Sequence, residues 1–459
     1  MDMEELSALR ERIFEAYKQR TSRSRELYGR ACDSLVGGVI CSTRFYSPYP
    51  LYMTRGKGNR IYDVDGNEYI DCFLNGGPLL LGHCHPEVMK AVKRELERGL
   101  IVYNLDLAIE CAELIKEIVP CAEKVRFANT GTEATMFAVR AARAFTDKKK
   151  IIKFYGHYHG LDDQFCVGTS NASSSMTSSG VPEESIRNTL LLRYDDIEVV
   201  KKKLDEDEDI AGIILDPQMT SGGIWPASHE YLKALRQITQ ERGVVLIFDE
   251  VMTGFRLAPG GAQEYFGVKP DLVALSKAIA AGGKLAAVAG REDVMRTLSP
   301  RGLVPTGATR KLALHGGTYL DGSVALAASI AALRTYKRLG DAGQYRKLSE
   351  QTEKLKTGIE EAFKQRELPV HVNRLGSMMR LFITPLEPSF EVYSSLDTTL
   401  VELFCTSLMT EGIFLTNPSL RAIFLSFVHT EEDIQRIIDA VHESLDRFNF
   451  KEAIYEAKR

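Results

Sequence analysis

Between about residues 105 and 335, short β-branched runs alternate with longer stretches whose apolar residues recur three and four positions apart. The runs Lys124–Ala128, Ile151–Phe154, Ile210–Leu215, Val244–Phe248, Leu272–Leu275 and Leu285–Ala289 are almost continuously apolar. Glu133–Phe145 and His229–Arg242 carry the helical spacing between them. A strand that is apolar on both faces must be covered on both. The pattern therefore predicts an α/β domain with a large, mostly parallel sheet between helices. The flanks read differently. Residues 1–35 suit one or two amphipathic helices, and residues 50–72 alternate around Asp65–Gly66, a hairpin signal. A long charged helix over Lys347–Arg366, short strands near 375–384 and 412–427, and a helix from about 430 to 448 follow. The expected division is an N-terminal segment, residues 1–75, a large domain, 76–335, and a C-terminal part, 336–459. The first and last would form a smaller α+β domain together. The Ser- and Thr-rich stretch Thr169–Ser185 is expected to be a mobile surface loop.

Charge and composition narrow the function. The 58 basic and 62 acidic residues give a net charge of −4, which offers no basic excess for a phosphate backbone, so no nucleic-acid partner is expected. The charged N-terminus lacks a signal-peptide core, and no apolar run of about 20 residues exists to span a membrane. The eight cysteines form no CxxC pair, so a reduced, cytoplasmic protein is expected.

Four features fall at strand ends. Asn129-Thr130-Gly131-Thr132-Glu133-Ala134 turns into an Ala-rich helix, whose unpaired N–H groups suit either a phosphate or a simple cap. Tyr155-Gly156-His157-Tyr158-His159-Gly160 offers aromatics for stacking on a flat ligand. A metal reading of His157 and His159, or of His83 and His85, lacks further ligands at metal-site spacing, and none is expected. Asp249-Glu250 ends an apolar strand, where acids are costly unless something binds them, or they emerge into solvent. Lys277 interrupts small apolar residues, as a lysine snorkelling to water or as a desolvated amine fit for a Schiff base. Taken together, a phosphate cradle, a stacking aromatic, a buried acid and such a lysine are what pyridoxal 5′-phosphate (PLP) demands.

On these residues the chain resembles the class III aminotransferases of PLP fold type I, in the branch that includes glutamate-1-semialdehyde 2,1-aminomutase and D-phenylglycine aminotransferase. The markers are Gly37-Gly38-Val39, IYDVDGNEYID (61–71), GPLLLGHCHPEV (77–88), NTGTEATMFAVRAAR (129–143), GHYHG (156–160) and DEVMTGFR (249–256), spread over residues 35–445. The resemblance implies that Lys277 is the internal-aldimine lysine and proton carrier, and Asp249 the acid paired with the pyridine nitrogen. It implies that Tyr158 and Val251 flank the ring, and that Gly131 and Thr132 form the phosphate turn. Thr318 would reach the phosphate of a neighbouring subunit, which implies a homodimer with shared active sites. Arg44 would hold a substrate carboxylate. Several positions depart from the family pattern. Asp216-Pro217 replaces Glu-Pro, Asp321-Gly322-Ser323 lacks the usual Asn-Pro after Gly317-Thr318, and Ile40-Cys41-Ser42-Thr43 replaces the aminomutase's Asn-Ser-Pro-Val. FYSPYPL (45–51) is similar to the β-phenylalanine enzyme, whose carboxylate arginine would fall on Cys41.

The expected function is a PLP-dependent aminotransferase moving an amino group between an amino acid and a 2-oxo acid. An intramolecular 2,1-aminomutase and an amino-acid racemase or epimerase are alternatives on the same scaffold. A PLP-binding protein without catalysis is disfavoured by the intact Lys277, Asp249 and Thr132.

Overall fold

A computed structural model describes residues 3–169, 178–300, 312–320, 322–418 and 420–451. The chain folds into two compact units, one of residues 86–345 and 389–395, the other of 1–85, 346–388 and 396–459.

In chain order the strands are β1 (Met53–Lys57), β2 (Arg60–Asp63), β3 (Glu68–Asp71), β4 (Lys124–Ala128), β5 (Lys150–Phe154), β6 (Thr189–Leu192), β7 (Ile210–Leu215), β8 (Val245–Glu250), β9 (Leu272–Leu275), β10 (Ala286–Gly290), β11 (His371–Leu375), β12 (Met378–Phe382), β13 (Ile413–Phe414) and β14 (Ala422–Phe424). The larger unit holds a seven-stranded sheet in the order β4-β10-β9-β8-β7-β5-β6. Strands β5 to β9 pair in parallel, while β10 runs antiparallel to both β9 and β4. Every residue of β7 and β8 is buried, which is why these runs read as unbroken apolar stretches rather than as alternation. The helix Gly131–Thr146 packs on the sheet through Ala134, Phe137, Ala138, Val139, Ala141 and Ala142, the small residues allowing close approach. The architecture is the α/β arrangement expected from the alternation.

The smaller unit is α+β and takes material from both ends of the chain. Helices Met3–Arg20 and Ser22–Cys32 occupy the first thirty residues. Strands β1 to β3 form an antiparallel meander, and β13 adds to it in parallel through Ile413 opposite Ile70. A second sheet, β11-β12-β14, is antiparallel. The helix Glu431–Phe448 starts from a capping box in which Thr430 and Asp433 satisfy each other's backbone N–H. Of the expected mobile loop Thr169–Ser185, residues 170–177 lie outside those described, and its end opens the short helix Glu183–Ile186. Among the described residues no helix is long and apolar enough to cross a membrane.

Candidate active site

The carboxyl edge of the large sheet gathers most of the residues singled out by the sequence. After β4, Thr130 caps the helix Gly131–Thr146, its hydroxyl accepting the Glu133 N–H at 3.1 Å. The Glu133 carboxylate reaches back to the Asn129 N–H at 2.6 Å. That leaves the Gly131 and Thr132 N–H groups at the positive end of the helix, without intrahelical partners. A Cβ on Gly131 would stand 2.9 Å from Val251 Cγ2, so no larger residue fits the turn unless Val251 yields. Thr132 Oγ1 accepts the Leu161 N–H at 3.2 Å, and a Cβ on Gly160 would fall 2.5 Å from that hydroxyl. The turn after β5 is thereby seated on the turn after β4.

In the segment after β5, His157 and His159 are buried while Tyr158 between them is 46% exposed. Asp249 lies at the end of β8, 4% exposed. One of its oxygens accepts the Val251 N–H at 3.0 Å and the other meets His159 Nδ1 at 2.7 Å. Burial pushes the Asp249 carboxyl up to about 7, against the Val251 bond and the charge of Lys277, which pull it down. Its neighbour Glu250 is equally buried but saturated, accepting from Ala262 N, Gln263 N, Gln263 Nε2 and the Thr253 hydroxyl. Glu250 therefore closes the following helix, and Asp249 is the acid with chemistry left to do.

Lys277 follows β9 and opens a 3₁₀ turn with φ of 50°, a left-handed conformation that costs a non-glycine residue about 1 kcal/mol. Its side chain is half-buried. Desolvation pushes its amine below the ordinary lysine range, and Asp249 and Asp216 draw it partly back. Asp216, after β7, is buried and pushed up to about 6 by desolvation. Its carboxylate accepts the N–H groups of Gln218 and Thr220.

Gly131, Thr132, Tyr158, Asp249, Val251 and Lys277 are thus drawn to one edge of one sheet. Thr318 is not joined to them. It is exposed and, among the described residues, makes no hydrogen bond to them. Arg44 belongs to the smaller unit, in the 3₁₀ turn Ser42–Arg44. Its guanidinium stands 5.6 Å from the Phe73 ring centroid and borders a cavity of about 560 Å³ walled by Tyr46, Tyr52, Phe73 and Phe414. The His159–Asp249 bond and the buried Lys153 were not anticipated. Only the acid and the imidazole themselves were visible, and nothing in their spacing says that they meet. His83 bonds the carboxylate of Asp71 at 2.7 Å just before the helix Pro86–Arg98, and no metal-holding cluster occurs among the described residues.

A helix N-terminus stripped of bulk by glycine, an apolar face at Val251, an exposed tyrosine ring, a buried acid and a desolvated amine together fit PLP. They define a PLP-dependent enzyme of fold type I. A family model described as aminotransferase class-III matches residues 41–445, and the chain belongs to that family. A glutamate-1-semialdehyde 2,1-aminomutase from Archaeoglobus fulgidus is 38% identical over 92% of this chain and 99% of its own. Among solved structures, an omega-transaminase from Sphaerobacter thermophilus is 33% identical with a TM-score of 0.85, covering 93% of this chain and 98% of its own. A β-phenylalanine aminotransferase from Variovorax paradoxus also superposes with a TM-score of 0.85, at 28% identity, over 97% of this chain and 99% of its own.

Proposed function

We propose that the protein is an aminotransferase that moves an amino group from an amino acid to a 2-oxo acid. The observation that carries this reading is the half-buried amine of Lys277, lowered by desolvation and facing Asp249 and Asp216 at the sheet edge. When bound, PLP supplies an aldehyde that captures the donor's amine and a ring that withdraws electrons from its α-carbon. The chain's own groups divide the remaining work. Gly131 and Thr132 hold the phosphate by backbone N–H groups and the helix dipole. Tyr158 and Val251 would hold the ring between them. Asp249 keeps the ring nitrogen protonated, with His159 fixing the direction of its carboxylate. Lys277, its proton affinity lowered by desolvation, would take the proton from the substrate α-carbon and carry it across the site. Arg44 receives the substrate carboxylate, a role its forked guanidinium suits.

An intramolecular 2,1-aminomutase is the second reading, favoured by the name of the Archaeoglobus relative and opposed by Ile40-Cys41-Ser42-Thr43 before Arg44. The test is a spectral half-reaction. Yellow holoenzyme mixed with an amino acid should bleach, and a 2-oxo acid should restore the colour. Bleaching restored by no 2-oxo acid, with isomerisation of an amino aldehyde in the same preparation, transfers the assignment to the aminomutase. Racemisation of one amino acid with no oxo acid present transfers it to a racemase. Arg44→Ala should raise the KM for carboxylate donors about 10–100-fold with kcat little changed, and unchanged kinetics remove Arg44 from the site.

A homodimer belongs to the same proposal. Leu100, Tyr103, Ile109, Leu314 and Tyr319 are 63–79% exposed, an apolar surface suited to a second copy, which Thr318 would then reach. Light scattering should give twice the chain mass, and a monomer with full activity would refute the shared site.

A further inference from the structure

Lys153 has no part in the function proposed above. It is fully buried in β5, where every other position but Lys150 is also buried, and among the described residues it has no carboxylate partner. Its Nζ donates instead to two backbone carbonyls, Phe165 O at 3.1 Å and Val167 O at 2.7 Å. A buried ammonium held only by carbonyls is expensive, so its retention needs a reason. Both carbonyls belong to the segment that returns from the His157-Tyr158-His159 turn. Phe165 packs edge-on against the His159 ring, with centroids 5.6 Å apart. The lysine therefore clamps the wall against which that imidazole stands.

The two imidazoles are held in opposite forms. His157 Nδ1 accepts the Asp216 N–H at 3.1 Å, so its proton sits on Nε2. His159 Nδ1 faces an Asp249 oxygen at 2.7 Å, so its proton sits on Nδ1. The Nε2 atoms of both are buried and, among the described residues, without hydrogen-bond partners. A second proton on His159 would therefore enter a pocket with no acceptor, beside a lysine. It would also turn Asp249 into half of an ion pair and take charge away from anything else that carboxylate must hold.

We propose that Lys153 is a positioning residue of the PLP site: it clamps the 165–167 segment behind His159, and its charge keeps that imidazole neutral, with Nδ1–H aimed at Asp249. The negative charge that Asp249 carries is then left for the cofactor's ring nitrogen and not shared with an imidazolium. Burial holds His157 and His159 well below the ordinary histidine range, and Lys153 adds to the effect on both, with His159 acting on His157 as well. The lysine itself is pushed down to about 7 by burial, with Cys166 opposing. Lys277 and Asp216 are the remaining charged groups acting on the Asp249 edge. The clamp is thus charged below neutrality, the range in which His159 would otherwise gain its proton.

The test uses the full chain labelled with ¹⁵N-histidine, with the His159 signals assigned by His159→Gln. In the wild type the ring should stay neutral and Nδ1-protonated from pH 5 to 8. In Lys153→Met it should take up a second proton with a midpoint about one pH unit or more higher, and Lys153→Arg should restore the wild-type titration. In the holoenzyme, the pH midpoint of the visible cofactor band should move in Lys153→Met and not in Lys153→Arg. An imidazolium at His159 in the wild type at pH 6–8 overturns the proposal, whether or not the variants fold. So does a Lys153→Met protein whose His159 titration and cofactor band match the wild type, which would leave Lys153 a packing residue.

Discussion

The two edges of the seven-stranded sheet treat a buried acid in opposite ways. At the amino edge, Asp271 precedes β9 and is 2% exposed. Arg291 meets one of its oxygens at 2.6 Å, Arg236 the other at 3.0 Å, and the Leu246 N–H adds a bond at 2.8 Å. That acid is neutralised and tied to its neighbours. At the carboxyl edge Asp249 is buried almost as deeply, yet its nearest polar partner is an imidazole, that of His159, and an amine acting on it, Lys277, is held in a left-handed backbone conformation. One edge completes its electrostatics within the fold. The other leaves them incomplete, which is the condition for binding and turning over something else.

Removing the amine should separate the edges most sharply. Lys277→Ala should fold, lose the visible band of the holoenzyme and lose at least about 10³-fold in turnover, read by absorbance and steady-state kinetics. Retained turnover would place the reacting amine elsewhere. Asp249→Asn should cost on the order of 10²-fold in turnover, and it has a pH signature of its own. The folded carboxyl titrates near 7, above its unfolded value, so the fold binds a proton that the unfolded chain releases. Wild-type apoprotein therefore loses stability as pH rises from about 4 to 7, and the asparagine variant should lose less over that range. Glu250 and Asp216 are raised by burial in overlapping ranges, so the difference between the two denaturation curves is the quantity to measure. Asp271→Asn should do the reverse. Stability should fall by about 2–3 kcal/mol in urea titrations, while kcat of the folded fraction stays unchanged. Thr130→Ala should cost only about 1 kcal/mol through the lost cap, with cofactor affinity falling modestly because the helix end frays beneath the phosphate turn.

Those residues also show what a sequence reveals and what it hides. Strands β7 and β9 were legible to the residue because strands buried on both faces write an uninterrupted apolar run. The antiparallel course of β10 was not, since Leu285–Ala289 is equally apolar in either direction and only pairing decides. Strand β6 escaped because Thr189–Leu192 lies at the sheet border, half-buried, directly after a Ser- and Thr-rich stretch. At the site, Asp249 and Lys277 stood out because a charge interrupting an apolar run is conspicuous. Lys153 interrupts one too, but a lone lysine in so short a run reads as a solvent-facing position. The link from His159 to Asp249 spans ninety positions of sequence, and no local pattern encodes a contact of that range.

The antiparallel strand β10 carries a further consequence. Because it turns back beside β9, with Ala287 opposite Leu275, residues 276–285 form a hairpin connection and not a crossover. Lys277 is therefore anchored by paired backbone on both sides. A one-residue shift of β10 would break its register with β4 as well as with β9, and because all five of its residues are buried neither face could take the changed side-chain pattern without repacking. The place of the reacting amine is thus set by a connection whose far strand is paired on both sides.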